Sequence, residues 1–435
     1  MELITEPYWW QDGAELPPVC HDVPAKADMV VVGAGFTGLG AALAAAEKGA
    51  EVVVFDAGQP GQGASTRNGG MIGAPHRPEF VQELKTYGRD LAVRIVREGA
   101  EGYAHTRALH EASGVFQHTG RVQMAFTRAH FEAMAERVRL IHELAPQETR
   151  LLNREELQDH IRSDLYFGGL YYPDHGAVQP RLAHDGLMKR ARDAGVTICA
   201  ECAVTAMKPE GDGFRLTTEA GEIRARRLVW ATNGYTGLQS RWLARRIFRV
   251  PSFIIATEEL PEGVIDRLAP GRRMMVESRA RHSYFRPSPD GKRIIFGGRA
   301  ALVSIDEREA ARRLQRTMAE IWPEAAEWKL SHSWQGWLGF TFARNPYVGS
   351  HEGVHFAYGY SGNGVALSPW LGRKAALRAM GDPEGTTAFA ETRLESRPYH
   401  IGGTPWFMAL ASPWWRFVVD ARETARARRD REMRR

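Results

Sequence analysis

Cysteine is scarce. Cys20, Cys199 and Cys202 are the only three in 435 residues, which excludes a disulfide-stapled fold. Cys199 and Cys202 form a CxxC, but no second pair accompanies them, as a zinc ribbon would require. The segment Val196–Val204 around them reads as one strand, on which residues three apart lie on opposite faces. We therefore expect no metal site and two small buried side chains there. Lysine is rare as well, eight of 57 basic residues. The longest apolar run, Met29–Ala46, is broken by glycines and stops at Glu47-Lys48, so it does not read as a membrane span. The start, MELITEPYWWQDG, lacks a basic stretch followed by an apolar one, and a cytoplasmic, reduced protein is expected. Repeats and low-complexity segments are missing. Negative charge is missing mainly at one end. Residues 422–435 hold seven arginines against Glu423, Asp430 and Glu432, a net +4 of the chain's +5. The rest is close to neutral, which speaks against a nucleic-acid partner.

What is present centres on Asp28–Asp56, DMVVVGAGFTGLGAALAAAEKGAEVVVFD. A buried strand, Met29–Val32, runs into Gly33-x-Gly35-x-x-Gly38. An Ala-rich helix follows, and a second apolar strand, Glu51–Phe55, ends in Asp56. This is a βαβ unit with a dinucleotide fingerprint. Gly33 allows the tight turn, Gly35 lets a pyrophosphate approach the backbone, and Gly38 lets helix and strand pack closely. The helix N-terminus, from Phe36, offers N–H groups to phosphates. Asp56 and Ala57 stand where a ribose hydroxyl is bound.

Three further segments favour FAD over a nicotinamide. The loop Gly63–Gly70 is long enough to wrap a flavin ring, with Ser65, Thr66, Arg67, Asn68, Gly69 and Gly70 at its end. The strand Leu228-Val229-Trp230 ends in small residues, through Thr232 to Gly234. The turn Gly359-Tyr360-Ser361-Gly362-Asn363-Gly364 opens a helix at Val365, whose N-terminus would stabilise negative charge on a reduced flavin.

Six segments occur in one order: VVVGAGFTGLGAALAAAEKGAEVVVFDA, GQGASTRNGG, YYPDHGAVQP, LVWATNGY, SYFRPSPDGKRIIFGGR and AYGYSGNGVALSPWLGRK. With the aromatic start PYWW, they make the chain resemble the D-amino-acid-oxidase-like flavoproteins over nearly its whole length. That group includes glycine oxidases, sarcosine oxidases and γ-glutamylputrescine oxidoreductases, and the last look closest. The resemblance implies an α/β fold, with a Rossmann-type, glutathione-reductase-like FAD domain and an inserted α+β substrate domain on an antiparallel sheet. The boundaries expected are 1–90, 148–245 and 335–400 for FAD, 91–147 and 246–334 for substrate, and 401–435 as a packing segment with a basic tail. It implies that a small amine or amino acid is oxidised at its C–N bond by hydride transfer to flavin N5, with the imine then hydrolysed. The partners implied are that amine and oxygen or another electron acceptor. Val204 joins the implied cofactor contacts. Several oxidases of the group carry a lysine where this chain has Ile295.

Tyr284 and Arg286 share a face of a strand expected to roof the flavin. Arg286 is the expected partner of a substrate carboxylate, because its planar fork pairs both oxygens. Arg281, Arg299 and Arg344 are its rivals. Trp334, Trp337 and Tyr360 complete the expected substrate contacts. His175 reads as a surface histidine rather than a base. FAD is expected to be non-covalent, since the loop offers Ala64, Ser65 and Thr66 ahead of Arg67, leaving His76 as the nearest exception. Ser304 with Glu307, like Asn153 with Glu156, reads as a capping box. Pro405–Val419 is too short to span a bilayer and reads as a packed helix, with a membrane-surface anchor less favoured. Alternatives to an amine-oxidising enzyme are a membrane-associated dehydrogenase feeding a quinone and a non-catalytic flavin-binding subunit.

Overall fold

The structure, a computed structural model, describes residues 2–13, 22–74, 80–145 and 147–433. Cys20 and His76 lie outside that set. The fingerprint folds as β1 (Lys26–Val32), α1 (Phe36–Glu47) and β2 (Val52–Phe55), with β1 and β2 parallel. Met29 to Val32 and Val52 to Phe55 are all buried, the near-continuous apolar pattern of strands covered on both faces. The parallel order runs Val354–Tyr358, Gly221–Trp230, β1, β2, Thr197–Cys199. The apolar stretch at Leu228 is therefore the end of one ten-residue strand whose first half pairs with Gly213–Thr218. α1 packs against the helix Gly364–Met380 almost backbone to backbone. A Cβ on Gly40 would lie 2.3 Å from the Pro369 carbonyl oxygen, and one on Gly372 would lie 2.0 Å from that of Thr37.

A second sheet of eight strands lies beside the first. Its order is Leu330–Thr341, Ile247–Thr257, Ile294–Gly298, Tyr284–Pro287, Met274–Glu277, Arg121–Met124, Gly169–Tyr172, Arg150–Leu152. All neighbours are antiparallel except Met274–Glu277 with Arg121–Met124. Phe253, Phe285, Phe296 and Met275 bury one face against the helix Glu307–Ile321. Two strands between residues 150 and 172 thus join this sheet, although the sequence boundary returns the chain to the FAD domain at 148. Local alternation marks a strand but not which sheet it enters. Leu330–Thr341 likewise runs across the boundary set at 335.

Two local expectations change. Val196–Val204 is not one strand: Thr197–Cys199 ends in a turn and Val204–Glu210 begins anew, with Cys199 and Cys202 both buried. The cap of the helix Glu307–Ile321 is Asp306, which accepts from the N–H groups of Arg308 and Glu309, while Ser304 donates to Gln335. The Asn153–Glu156 capping box forms as expected. The aromatic start ties the sheets together. Trp9 donates its indole N–H to the Asn68 carbonyl at 2.7 Å, and Trp10 donates to Thr66 Oγ1 at 2.8 Å.

Glu83, in the long helix Phe80–Ala112, is buried against Asn345, which donates to it at 3.1 Å. Burial pushes its carboxyl up to about 7, against the weaker pull of Asn345. A raised carboxyl costs stability where it is ionised, above the folded value, and the cost fades as pH falls toward the unfolded value. Glu83→Gln should therefore stabilise the protein by about 2–3 kcal/mol at pH 8 and by much less at pH 5, in melts at both pH values.

Candidate functional site

A cavity of about 740 Å³ opens where β1, β2 and Gly221–Trp230 end. The turn after β1 makes its floor. Gly33 holds a φ of +103° that few side chains adopt. A Cβ on Gly38 would lie 1.8 Å from the Gly33 carbonyl oxygen, so α1 can begin this close only with glycine there. Gly35 caps α1 without a side chain, and a Cβ on it would lie 2.9 Å from Ser65 Oγ, in the mouth of the cavity. Asp56 accepts from the N–H groups of Ala34 at 2.8 Å and Gly58 at 3.0 Å. Burial pushes its carboxyl up, and these two donors pull it back.

Most of the expected cofactor contacts line this cavity. They are Gly33, Gly35, Phe36, Asp56, Ala57, Ser65, Arg67, Asn68, Val204, Thr232, Tyr360, Gly362, Gly364 and Val365. Thr66, Gly70, Gly234 and Gly359 stand behind the wall. Thr66 is fully buried and donates to the Gly61 carbonyl at 2.7 Å, while Gly359 holds a φ of +81° against Thr341. Thr37, Tyr235 and Gln335 line it too and were not expected. Tyr235 closes the LVWATNGY segment, so its neighbours pointed to it. Gln335 is brought in only by the sheet.

A second cavity of about 140 Å³ adjoins the first. Asn68, Leu338, Ser361, Gly362 and Val365 line both. Gly69 and Asn363 face this second space. So do Arg121, His282, Tyr284 and Arg299, with Met71, Val250, Val276 and Phe340 as its apolar wall. Among the described residues that line it there is no aspartate or glutamate. Burial pushes the Tyr284 phenol up to about 12, and the hydroxyl shares a 2.9 Å hydrogen bond with Ser252. Burial also lowers the Arg121 guanidinium to about 10.

Other expected substrate contacts are placed elsewhere. Arg286 shares Tyr284's strand face but lies deeper, and it lines neither cavity. It donates to the carbonyls of Pro287 at 3.0 Å, Val178 at 3.0 Å and Gly70 at 3.3 Å, and to Gln117 Oε1. Trp334 is fully buried and donates to the Arg67 carbonyl at 3.0 Å. Trp337 lines the larger cavity, with the Arg249 guanidinium 4.6 Å from its ring. The Tyr360 hydroxyl is held 2.8 Å from Thr37 Oγ1. Ile295 is buried in a cluster with Trp9 and Trp334. His175 is not at the surface. It is buried, accepts from the Ala74 N–H at 3.1 Å and stacks on Tyr172, and burial holds its imidazole well below the usual range. Arg121 and Arg299 replace Arg286 at the cavity. Arg299 is one of the rivals named above, whereas Arg121 lies far away in sequence and nothing local marks it.

A glycine-fingerprint cradle thus opens into a smaller, cation-bearing space beside the antiparallel sheet. Residues 28–378 match the DAO family of FAD dependent oxidoreductases, and the chain belongs to that family. It is 31% identical over 424 residues to a probable oxidoreductase OrdL of Rhizobium meliloti, covering 94% of this chain and 95% of that one. It is 27% identical over 382 residues to the gamma-glutamylputrescine oxidoreductase of Escherichia coli, covering 87% and 88%. Its fold is similar to that of glycine oxidase from Geobacillus kaustophilus, with a TM-score of 0.70 at 21% identity, covering 86% of this chain and 100% of that one. The protein is an FAD-dependent oxidoreductase. The cradle fits that cofactor, since Gly35 leaves bare backbone where a side chain would crowd Ser65 Oγ at the cavity.

Gly35→Val should leave the sheet intact and abolish FAD binding. Flavin absorbance of the purified, folded variant measures this, and full wild-type absorbance would relocate the cofactor.

Proposed function

We propose that the protein oxidises the C–N bond of a small amine that carries a carboxylate. The observation that carries this reading is the pair Arg121 and Arg299 in a cavity with no acid among its described lining residues. Arg299 gives one N–H to the Ala280 carbonyl at 3.1 Å and faces Asp420, yet two cations against an apolar wall favour an anion, and an arginine fork suits a carboxylate. The γ-glutamylputrescine in the name of the E. coli relative is one amine of this kind.

Gly33, Gly35, Gly38 and the start of α1 would hold the pyrophosphate of FAD, and Asp56 a ribose hydroxyl. Asn68, Ser361, Gly362 and Val365, shared by both cavities, would hold the ring without a covalent bond. FAD, when bound, supplies the hydride acceptor. The chain positions the amine and controls its protonation. Met71, Val250, Val276 and Phe340 disfavour an ammonium and so favour the neutral amine. Tyr284 keeps its proton at neutral pH, so it serves as a hydrogen-bonding group rather than a base. Oxygen or another carrier takes the electrons, in a cytosolic setting.

Anaerobic titration of the holoprotein tests this. A carboxylated amine should bleach the flavin, and its decarboxylated counterpart should do so far less readily. Arg299→Ala, and Arg121→Lys beside it, should raise the apparent KM for the carboxylated amine roughly 30-fold or more, with FAD content kept. If no amine bleaches the flavin, or both kinds of amine suffer equally, the reading fails.

A further inference from the structure

The chain ends in one continuous helical rod. Phe407–Trp414 passes through a wider turn, Trp415–Val419, into Asp420–Glu432. Its charges are sorted by face. Three of its four acids turn inward, Glu432 at the end being exposed: Glu423 accepts from the Ala280 N–H at 2.9 Å, Asp430 accepts from the Arg128 N–H at 3.1 Å, and Asp420 faces Arg281 and Arg299. Phe407, Met408, Ala411 and Trp415 pack on Phe248, Val250 and Leu302.

The outward face reverses what a globular helix shows to water. Trp406 is 58% exposed, Leu410 71%, Trp414 58% and Phe417 69%, and Ile401 just before the helix is 77% exposed. Leu410, Trp414 and Phe417 follow the i, i+4, i+7 spacing of one stripe. The charged residues exposed from Trp406 to Arg429 are all arginine: Arg416, Arg422, Arg426, Arg428 and Arg429. The Arg416 guanidinium lies 5.3 Å from the Phe417 ring. Among the described residues no helix is long and apolar enough to cross a membrane.

We propose that this face docks the protein on an anionic lipid surface. Tryptophan and phenylalanine enter the headgroup–acyl boundary, and arginines on the same rod meet the lipid phosphates. A row of bulky apolar side chains beside five exposed arginines, with Glu432 the one exposed acid of the rod, matches that surface in both polarity and charge. A second copy matches it poorly. It would bring five exposed arginines and only one exposed acid, Glu432, so it lacks the negative charge that would answer them. The inference is independent of the substrate reading, because the outward residues line neither the cofactor cavity nor the one beside it.

Flotation of the holoprotein with lipid vesicles tests the proposal. The probes are vesicles of phosphatidylcholine with about 30% phosphatidylglycerol and vesicles of phosphatidylcholine alone. The protein should float with the anionic vesicles, and binding should weaken about tenfold without the anionic lipid or at about 0.5 M salt. Leu410→Ser/Trp414→Ser/Phe417→Ser should lose binding about tenfold or more while keeping FAD and its melting temperature. Arg422→Glu/Arg426→Glu should lose it on anionic vesicles by a similar factor and needs no apolar change to fold. Failure of the wild type to float would overturn the proposal. So would unchanged binding by both variants, or a wild-type dimer that the triple variant splits, which would assign the face to a second copy.

Discussion

Arg286 is a buried cation with no carboxylate beside it among the described residues. Burial lowers its guanidinium to about 10, and three carbonyls and Gln117 take its N–H groups. Those acceptors belong to separate parts of the chain. Gly70 ends the loop over the cofactor cavity, Val178 precedes the helix Pro180–Asp193, Gln117 lies in a short strand of its own, and Pro287 closes Arg286's own strand. The Trp9 ring lies 5.9 Å from the guanidinium, and Trp9 in turn holds the Asn68 carbonyl. The loop that shapes both cavities is thus fixed to the antiparallel sheet at its Gly70 end by Arg286, and at Arg67 by Trp334 and the Gln335 carbonyl. A buried charge is tolerable only when its hydrogen bonds are met, and removing it takes a donor from three carbonyls and Gln117 at once. The same saturation leaves Arg286 ill-suited to bind a substrate.

The division of labour follows. The parallel sheet presents backbone, through glycines at Gly33, Gly35 and Gly362, along the larger cavity. The antiparallel sheet presents side chains, Tyr284, Arg121 and Arg299, over the adjoining space. Neither sheet completes a site alone, since Asn68, Ser361 and Gly362 border both spaces. The N-terminal aromatic arm stiffens the seam through Trp9 and Trp10.

Much of the larger cavity's lining was legible in the sequence because its signals are local. Glycines at fixed spacing, an acid after the second strand and a glycine turn before a helix each report on their own backbone. The substrate half was legible only in part. Period-2 alternation put Tyr284 and Arg286 on one face correctly, but depth along that face depends on Trp9, Gly70 and Val178, which come from distant segments. Arg121 lies about 160 residues from Tyr284 in sequence and reaches the cavity only through the pairing of Arg121–Met124 with Met274–Glu277. His175 reads as a surface residue because its loop is rich in polar and turn residues, and its burial comes from Tyr103 and Tyr172. Ser304 lost the cap to Asp306, one turn choice that sequence spacing alone does not decide.

The central claim is that Arg286 holds the cofactor loop rather than the substrate. Flavin stoichiometry and melting temperature of Arg286→Met test it most directly, read beside the kinetics of a carboxylated amine and its decarboxylated counterpart. The account predicts a loss of about 3 kcal/mol or more in stability, a marked fall in bound FAD and equal losses on both amines. Full FAD content with a loss confined to the carboxylated amine would contradict it.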